Sequence, residues 1–239
     1  MSPQRSPVAH IAYPPQPSKL PAPLWHTGIL LLYVLVPPIW WPGWTRLLRT
    51  LPYNSASFDI LRIAIYTAVV AFVCLGLSLR QTPLEQMIGQ LWTSWKSALR
   101  DIAIGLGLWL VARYADRLIY YLAPYPPRAR LLPHTKGELL ISIFCYIVVG
   151  VTEELIFRGY LQKQFTALCR NLGAGLLIQA FLFALFHGYH QLPGVFCQHF
   201  LFGLMAGMLA HWRKSLLPGM IGHAWFDAYW NLLRIVGLK

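Results

Sequence analysis

Residues 137–164 read GELLISIFCYIVVGVTEELIFRGYLQKQ, and this stretch decides the fold class. An almost unbroken apolar run from Leu139 to Val151 leads into Glu153, Glu154 and Arg158, after which apolar residues resume. About 20 apolar residues cross the roughly 30 Å hydrocarbon core of a bilayer, so the segment is long enough to span one. Its charges interrupt the span rather than bound it. Burying an ionised side chain near the middle of a membrane costs on the order of 3 kcal/mol or more, so charges in such a place need a reason.

Similar apolar stretches recur on both sides. Candidate spans lie at about 24–41, 59–79, 98–122, 172–187, 194–212 and 216–236, which with 137–164 predicts an all-α, polytopic transmembrane bundle of about seven spans. Trp40, Trp41 and Trp44 mark an interfacial exit from the first span. Residues 83–97 are too polar to cross, but Leu84, Met87, Ile88, Leu91, Trp92 and Trp95 fall near one helical face, which predicts a helix lying in the interface. Late in the third span, Arg113, Asp116 and Arg117 either compensate one another or, as we favour, emerge into the headgroups. Three regions result: a disordered Pro-rich tail over 1–23, N-terminal transmembrane helices over 24–136 ending in the Pro-rich basic loop 123–136, and a four-helix membrane core over 137–239.

Composition agrees with lipid as the solvent. The 239 residues are 56% hydrophobic and 12% charged, where soluble domains carry about a quarter charged residues. A net charge of +12 could suggest nucleic acid, but the Lys and Arg residues stand singly or in pairs between apolar runs and form no stripe that would follow a phosphate backbone. They fit juxtamembrane anchoring, and no nucleic-acid partner is expected. With alternating spans, Arg5, Lys19, Arg80, Lys96, Arg100, Lys163, Arg170, Arg213 and Lys214 share one side; Arg46, Arg49, Arg128, Arg130, Lys136, Arg234 and Lys239 share the other. That small bias prefers a cytoplasmic N-terminus; the expected location is the cell (inner) membrane, as a multi-pass protein. The four cysteines lack CxxC spacing and read as helix-packing residues.

Three motifs carry polar groups into the spans. In VTEELIFRGYLQ, Arg158 lies one turn from Glu154 and pairs with it, while Glu153 points to the adjacent face and is left as the candidate water-facing carboxylate. A buried ion-pair network that merely fixes helix packing would use the same residues. In FLFALFHGYHQ, Phe183 precedes His187 by one turn; His190 follows in the next turn as a second imidazole. In GHAWFDAYWN, His223 and Asp227 share one helical face, so the carboxylate can fix the imidazole's tautomer or hold it as an ion pair. His199 and His211 flank the sixth span and are assigned to packing or the interface. One carboxylate and two imidazoles around a water supply what peptide hydrolysis needs: a base, donors for the oxyanion and an acid for the leaving amine.

At these residues the sequence resembles the CAAX protease and bacteriocin-processing family, the glutamic intramembrane proteases that include Ras-converting CAAX prenyl endopeptidases. The family's EExxxR pattern matches Glu153, Glu154 and Arg158, its FxxxH pattern matches Phe183 and His187, and its HxxxN or HxxxD pattern matches His223 and Asp227. The resemblance implies that Glu153, helped by His187, activates the attacking water, while His223 and Asp227 stabilise the oxyanion and Arg158 holds Glu154. Asp227 stands where the prenyl endopeptidases typically carry Asn. An ionised carboxylate repels an oxyanion, so Asp227 is either protonated or orients His223 instead. Glu, His and His could also form a three-ligand zinc site, but the ligands come from three helices without HExxH spacing, and a metal-free site is favoured. The expected activity is intramembrane hydrolysis of a peptide bond in a membrane-associated protein or peptide, lipidated or not. The alternative is a non-catalytic membrane immunity or accessory protein that keeps the polar network for packing or binding.

Overall fold

The computed structural model describes residues 19–39, 55–124, 135–187 and 193–235. Most of the Pro-rich tail, the Trp40, Trp41 and Trp44 cluster, most of the basic loop and His190 lie outside the described residues. Within them, the chain forms helices α1 (Leu24–Ile39), α2 (Ala56–Ser78), α3 (Leu84–Ile88) and α4 (Trp95–Leu122). It continues through α5 (Lys136–Cys169), α6 (Leu172–Phe186), α7 (Pro193–Arg213) and α8 (Leu217–Ile235). The protein is an all-α membrane bundle. Helices α2, α5 and α7 are each long and apolar enough to cross a bilayer. Helices α4 and α8 have the length, but polar residues including Asp101, Arg113 and Asp116 in α4 and His223, Asp227 and Asn231 in α8 lower their hydropathy.

Local chemistry sets where the helices begin. Ser94 and Thr135 form capping boxes with Ser97 and Glu138, each side chain accepting from the backbone N–H three residues on. Glu138 is thereby occupied at a helix start. The interfacial helix expected over 83–97 is confined to Leu84–Ile88. Gly89 ends it with a φ of +82°, a left-handed conformation that glycine adopts without strain. The chain then runs beside Ser215 in an isolated antiparallel bridge, with Gln90 N–H donating to Lys214 O and Leu216 N–H donating to Ile88 O, both at 2.8 Å. Those backbone bonds compete with the helix that the apolar spacing predicts.

The helices pack through small residues, as membrane helices do when lipid offers no hydrophobic drive for association. Helix α8 lies along both α5 and α4. A Cβ on Gly150 would lie 2.7 Å from the Ala224 nitrogen, and one on Gly222 would lie 2.6 Å from the Gly105 carbonyl oxygen. Elsewhere α2 packs on α5, α6 on α7, and α1 on α6. From Leu155 to Leu161 α5 widens into a π-helix, with Gln162 N–H donating to Phe157 O. Ile156, Phe157, Tyr160 and Leu161 in this segment are at most 1% exposed and form the centre of the core.

Candidate active site

The site is assembled at the point where α5 changes geometry. Glu153 and Glu154 end its α-helical part, and Arg158 lies inside the π-helical segment. The Arg158 guanidinium is 3.1 Å from Glu154 Oε1, and both side chains are fully buried. It also stacks 4.3 Å from the centroid of the Phe183 ring. The arginine is thus held by a carboxylate and by an aromatic face, two partners that suit a planar, weakly hydrated cation. Pairing of Glu154 with Arg158 follows the spacing in the sequence.

Phe183 serves His187 as well. The His187 Nδ1–H donates to the Phe183 carbonyl oxygen at 2.8 Å, one helical turn back at the end of α6. A carbonyl can only accept, so in the neutral ring Nε2 carries the lone pair. That Nε2 points to Glu153 Oε2 at 3.9 Å. The FxxxH spacing therefore fixes both the ring's direction and its tautomer through backbone geometry, while the phenyl ring reaches Arg158.

His223 comes in from α8. Its Nδ1–H donates to Glu154 Oε1 at 3.0 Å, and its Nε2 lies 3.7 Å from Glu153 Oε2 and 3.9 Å from Asp227 Oδ2. The one-turn spacing in the sequence lets Asp227 fix this ring's tautomer or hold it as an ion pair; here Asp227 lies near Nε2, and Nδ1–H is held by Glu154. Close packing of α5 on α8 at Gly150 and Gly219 brings the carboxylate within hydrogen-bond reach, and a Cβ on Gly219 would meet Glu154 Oε2 at 2.8 Å. Asp227 remains at the edge of the group, 28% exposed.

Glu153 is 2% exposed. The Tyr66 hydroxyl of α2 donates to its Oε1 at 2.5 Å, whereas Oε2, facing both imidazoles, has no hydrogen bond among the described residues. Tyr66 is the site residue that sequence reasoning missed. Its signal was an amphipathic side chain in the middle of an apolar span, since a buried Tyr hydroxyl finds a partner.

A cavity of about 50 Å³ adjoins the group, lined by residues of α4, α6, α7 and α8 that include Asp116, His187, His199, His223 and Asp227. A water needs about 10–15 Å³ of such space, so the cavity has room for more than one. His199, expected in packing, does pack, but against the active-site ring: its imidazole is stacked on His187 at 4.1 Å between centroids. His211 is exposed at the end of α7. Asp116 pairs with Arg113 at 3.2 Å, the compensation that their spacing allows, and lines the cavity, while Arg113 packs against the Phe226 and Tyr229 rings of α8. Among the described residues, no three His, Cys, Asp or Glu side chains are grouped as metal ligands.

Residues 135–229, running from the cap of α5 into α8, match the family model described as Type II CAAX prenyl endopeptidase Rce1-like. This segment is of the CAAX protease family. All the motif residues of the site lie inside it, whereas Tyr66 lies outside. No curated protein and no solved structure matches the chain. The match and the apolar helices together describe an integral membrane protein whose residues 135–229 are of a protease family, a context that implies a substrate in or at the bilayer.

Proposed function

We propose that the chain is a glutamate-dependent intramembrane endopeptidase, in which Glu153 activates water for attack on a peptide bond of a membrane-associated protein or peptide. The observation that carries this reading is the free carboxylate oxygen of Glu153, buried between two imidazole nitrogens at 3.9 and 3.7 Å. A carboxylate oxygen and the unprotonated Nε2 of His187 are both acceptors, so a water seated against them gives its two hydrogens to the pair. Attack on the substrate carbonyl then passes one proton to Glu153, which is placed to return it to the leaving amine.

His223, held by Glu154, takes the oxyanion side. In its protonated form it offers Nε2–H to the developing charge, and Arg158 balances Glu154 behind it. Asp227 lies next to that Nε2 and in its ionised form would repel an oxyanion. We assign it to supporting the charged imidazole rather than to binding the oxyanion itself. No step uses a metal ion. The N-terminus faces the cytoplasm by the bias of the positive charges, and the host is the cell (inner) membrane.

The test is cleavage of membrane peptides, prenylated CAAX peptides and unprenylated spans alike, by the purified protein in detergent. Glu153→Gln should lower turnover by about 10²–10⁴-fold, as removal of a general base does, and His187→Ala should abolish it, with helical content unchanged in both. Cleavage by either variant at the unmodified rate would overturn the assignment.

A further inference from the structure

A second cavity, of about 710 Å³, lies where the start of α4 meets the end of α7, away from the candidate active site along both helices. Its charged wall is Lys96, Arg100, Asp101 and Arg213. Asp101 is 2% exposed and fully engaged: Oδ1 takes Arg213 Nη2 at 2.8 Å and Arg100 Nε at 3.4 Å, and Oδ2 accepts from Trp92 Nε1 at 3.2 Å. Two guanidinium groups are thus gathered on a single carboxylate oxygen. With Lys96, three cations share a wall with one anion, an excess of two positive charges. Arg213 Nε is buried and makes no hydrogen bond among the described residues. Asp101 offsets only one of the three positive charges, and guanidinium forks suit the oxygens of a phosphate that offsets the rest.

The surroundings say where that anion comes from. Trp92, Trp95 and Trp212, chain neighbours of lining residues, are 45%, 68% and 68% exposed, and exposed indoles on a membrane bundle mark the headgroup level. Gln90, which lines the cavity, is held next to the bridge between Gly89 and Ser215, with Ser215 Oγ donating to Gln90 O at 2.7 Å. Lys163, Arg170 and Lys214 fall on the same side of the bundle by the alternation of spans.

We propose that this cavity holds the phosphate of an anionic phospholipid headgroup, gripped by Arg100, Arg213 and Lys96. Soluble phosphate shares the chemistry, but the exposed indoles next in the chain to lining residues fit a ligand anchored in the bilayer. The site does not depend on the chain's being a protease.

Tryptophan fluorescence of the full chain reconstituted in vesicles tests it, with dibrominated phosphatidylglycerol compared with dibrominated phosphatidylcholine as quenchers. Quenching by the anionic lipid should exceed that by the zwitterionic one. Lys96→Gln/Arg100→Gln should reduce this selectivity by up to about 30-fold, the loss expected for two cations at a membrane surface. Lys136→Gln/Arg234→Gln, which removes equal charge where α5 begins and α8 ends, should retain it. If the first double variant loses its helical circular dichroism, Lys96→Gln alone should give a partial loss. Equal quenching by the two lipids, selectivity that survives in the Lys96 variants, or selectivity that falls equally in the control would overturn the proposal. Selectivity abolished by inorganic phosphate at constant ionic strength would also do so, by assigning the site to a soluble anion.

Discussion

Glu153 and Glu154 are neighbours in the chain with the same chemistry, and their surroundings divide their roles. Glu154 is enclosed by Arg158 and His223, whereas Glu153 has one oxygen tied to Tyr66 and the other free. Half of that division was legible in the sequence, since a one-turn spacing pairs Arg158 with Glu154 and leaves Glu153 over. The Tyr66 bond was not, because no local rule tells a hydroxyl in α2 which carboxylate of α5 it will meet. Tyr66→Phe removes one hydrogen bond to a charged acceptor, worth about 1.5–3 kcal/mol, so kcat should fall at least about tenfold with KM unchanged. Steady-state kinetics on a cleaved peptide checks this, and an unchanged kcat would assign Tyr66 to packing. Arg158→Met leaves buried Glu154 without its cation and should cost about 3–5 kcal/mol, read as a lower thermal unfolding midpoint in detergent. Arg158→Lys should restore little of that loss, since an ammonium cannot lie flat on the Phe183 ring while reaching Glu154.

Among the elements, the contact of α5 with α8 does most to shape the site, because His223 reaches Glu154 only if the two backbones approach closely. Gly150 makes that approach possible. Gly150→Val places a branched side chain where a Cβ already lies 2.7 Å from the Ala224 nitrogen. It should destabilise the protein by about 1–3 kcal/mol and weaken peptide cleavage, as measured by thermal unfolding and turnover together. Gly107 is the control: a Cβ there meets nothing within 4 Å, so Gly107→Ala should be neutral or stabilising by about 0.5–1 kcal/mol. Helix positions were read well from apolar runs, since a chain in lipid must satisfy its backbone internally. The segment at 83–97 was read too long, because its helical face competes with backbone bonds to residues 214–216 that are distant in sequence. The π-helical turn at Leu155–Leu161 has no pattern in the sequence that would have disclosed it.

At the scale of the molecule, α2, α5 and α7 are long and apolar enough to cross a bilayer, and the other helices pack with them into the bundle. The protein should stay with the membrane pellet after alkaline carbonate extraction and be released only by detergent, as immunoblotting of the fractions would record. Recovery in the carbonate supernatant would contradict the fold class. The sequence by itself determined that class, the family of residues 135–229 and the residues that are polar inside spans, because hydropathy, helical periodicity and one-turn spacings are local properties of a chain. Tertiary structure alone decided that Tyr66 holds Glu153, that Glu154 rather than Asp227 orients His223, and that Asp116 and His199 face the same cavity as His187. Those are contacts between helices far apart in sequence, set by how closely small residues let the backbones approach.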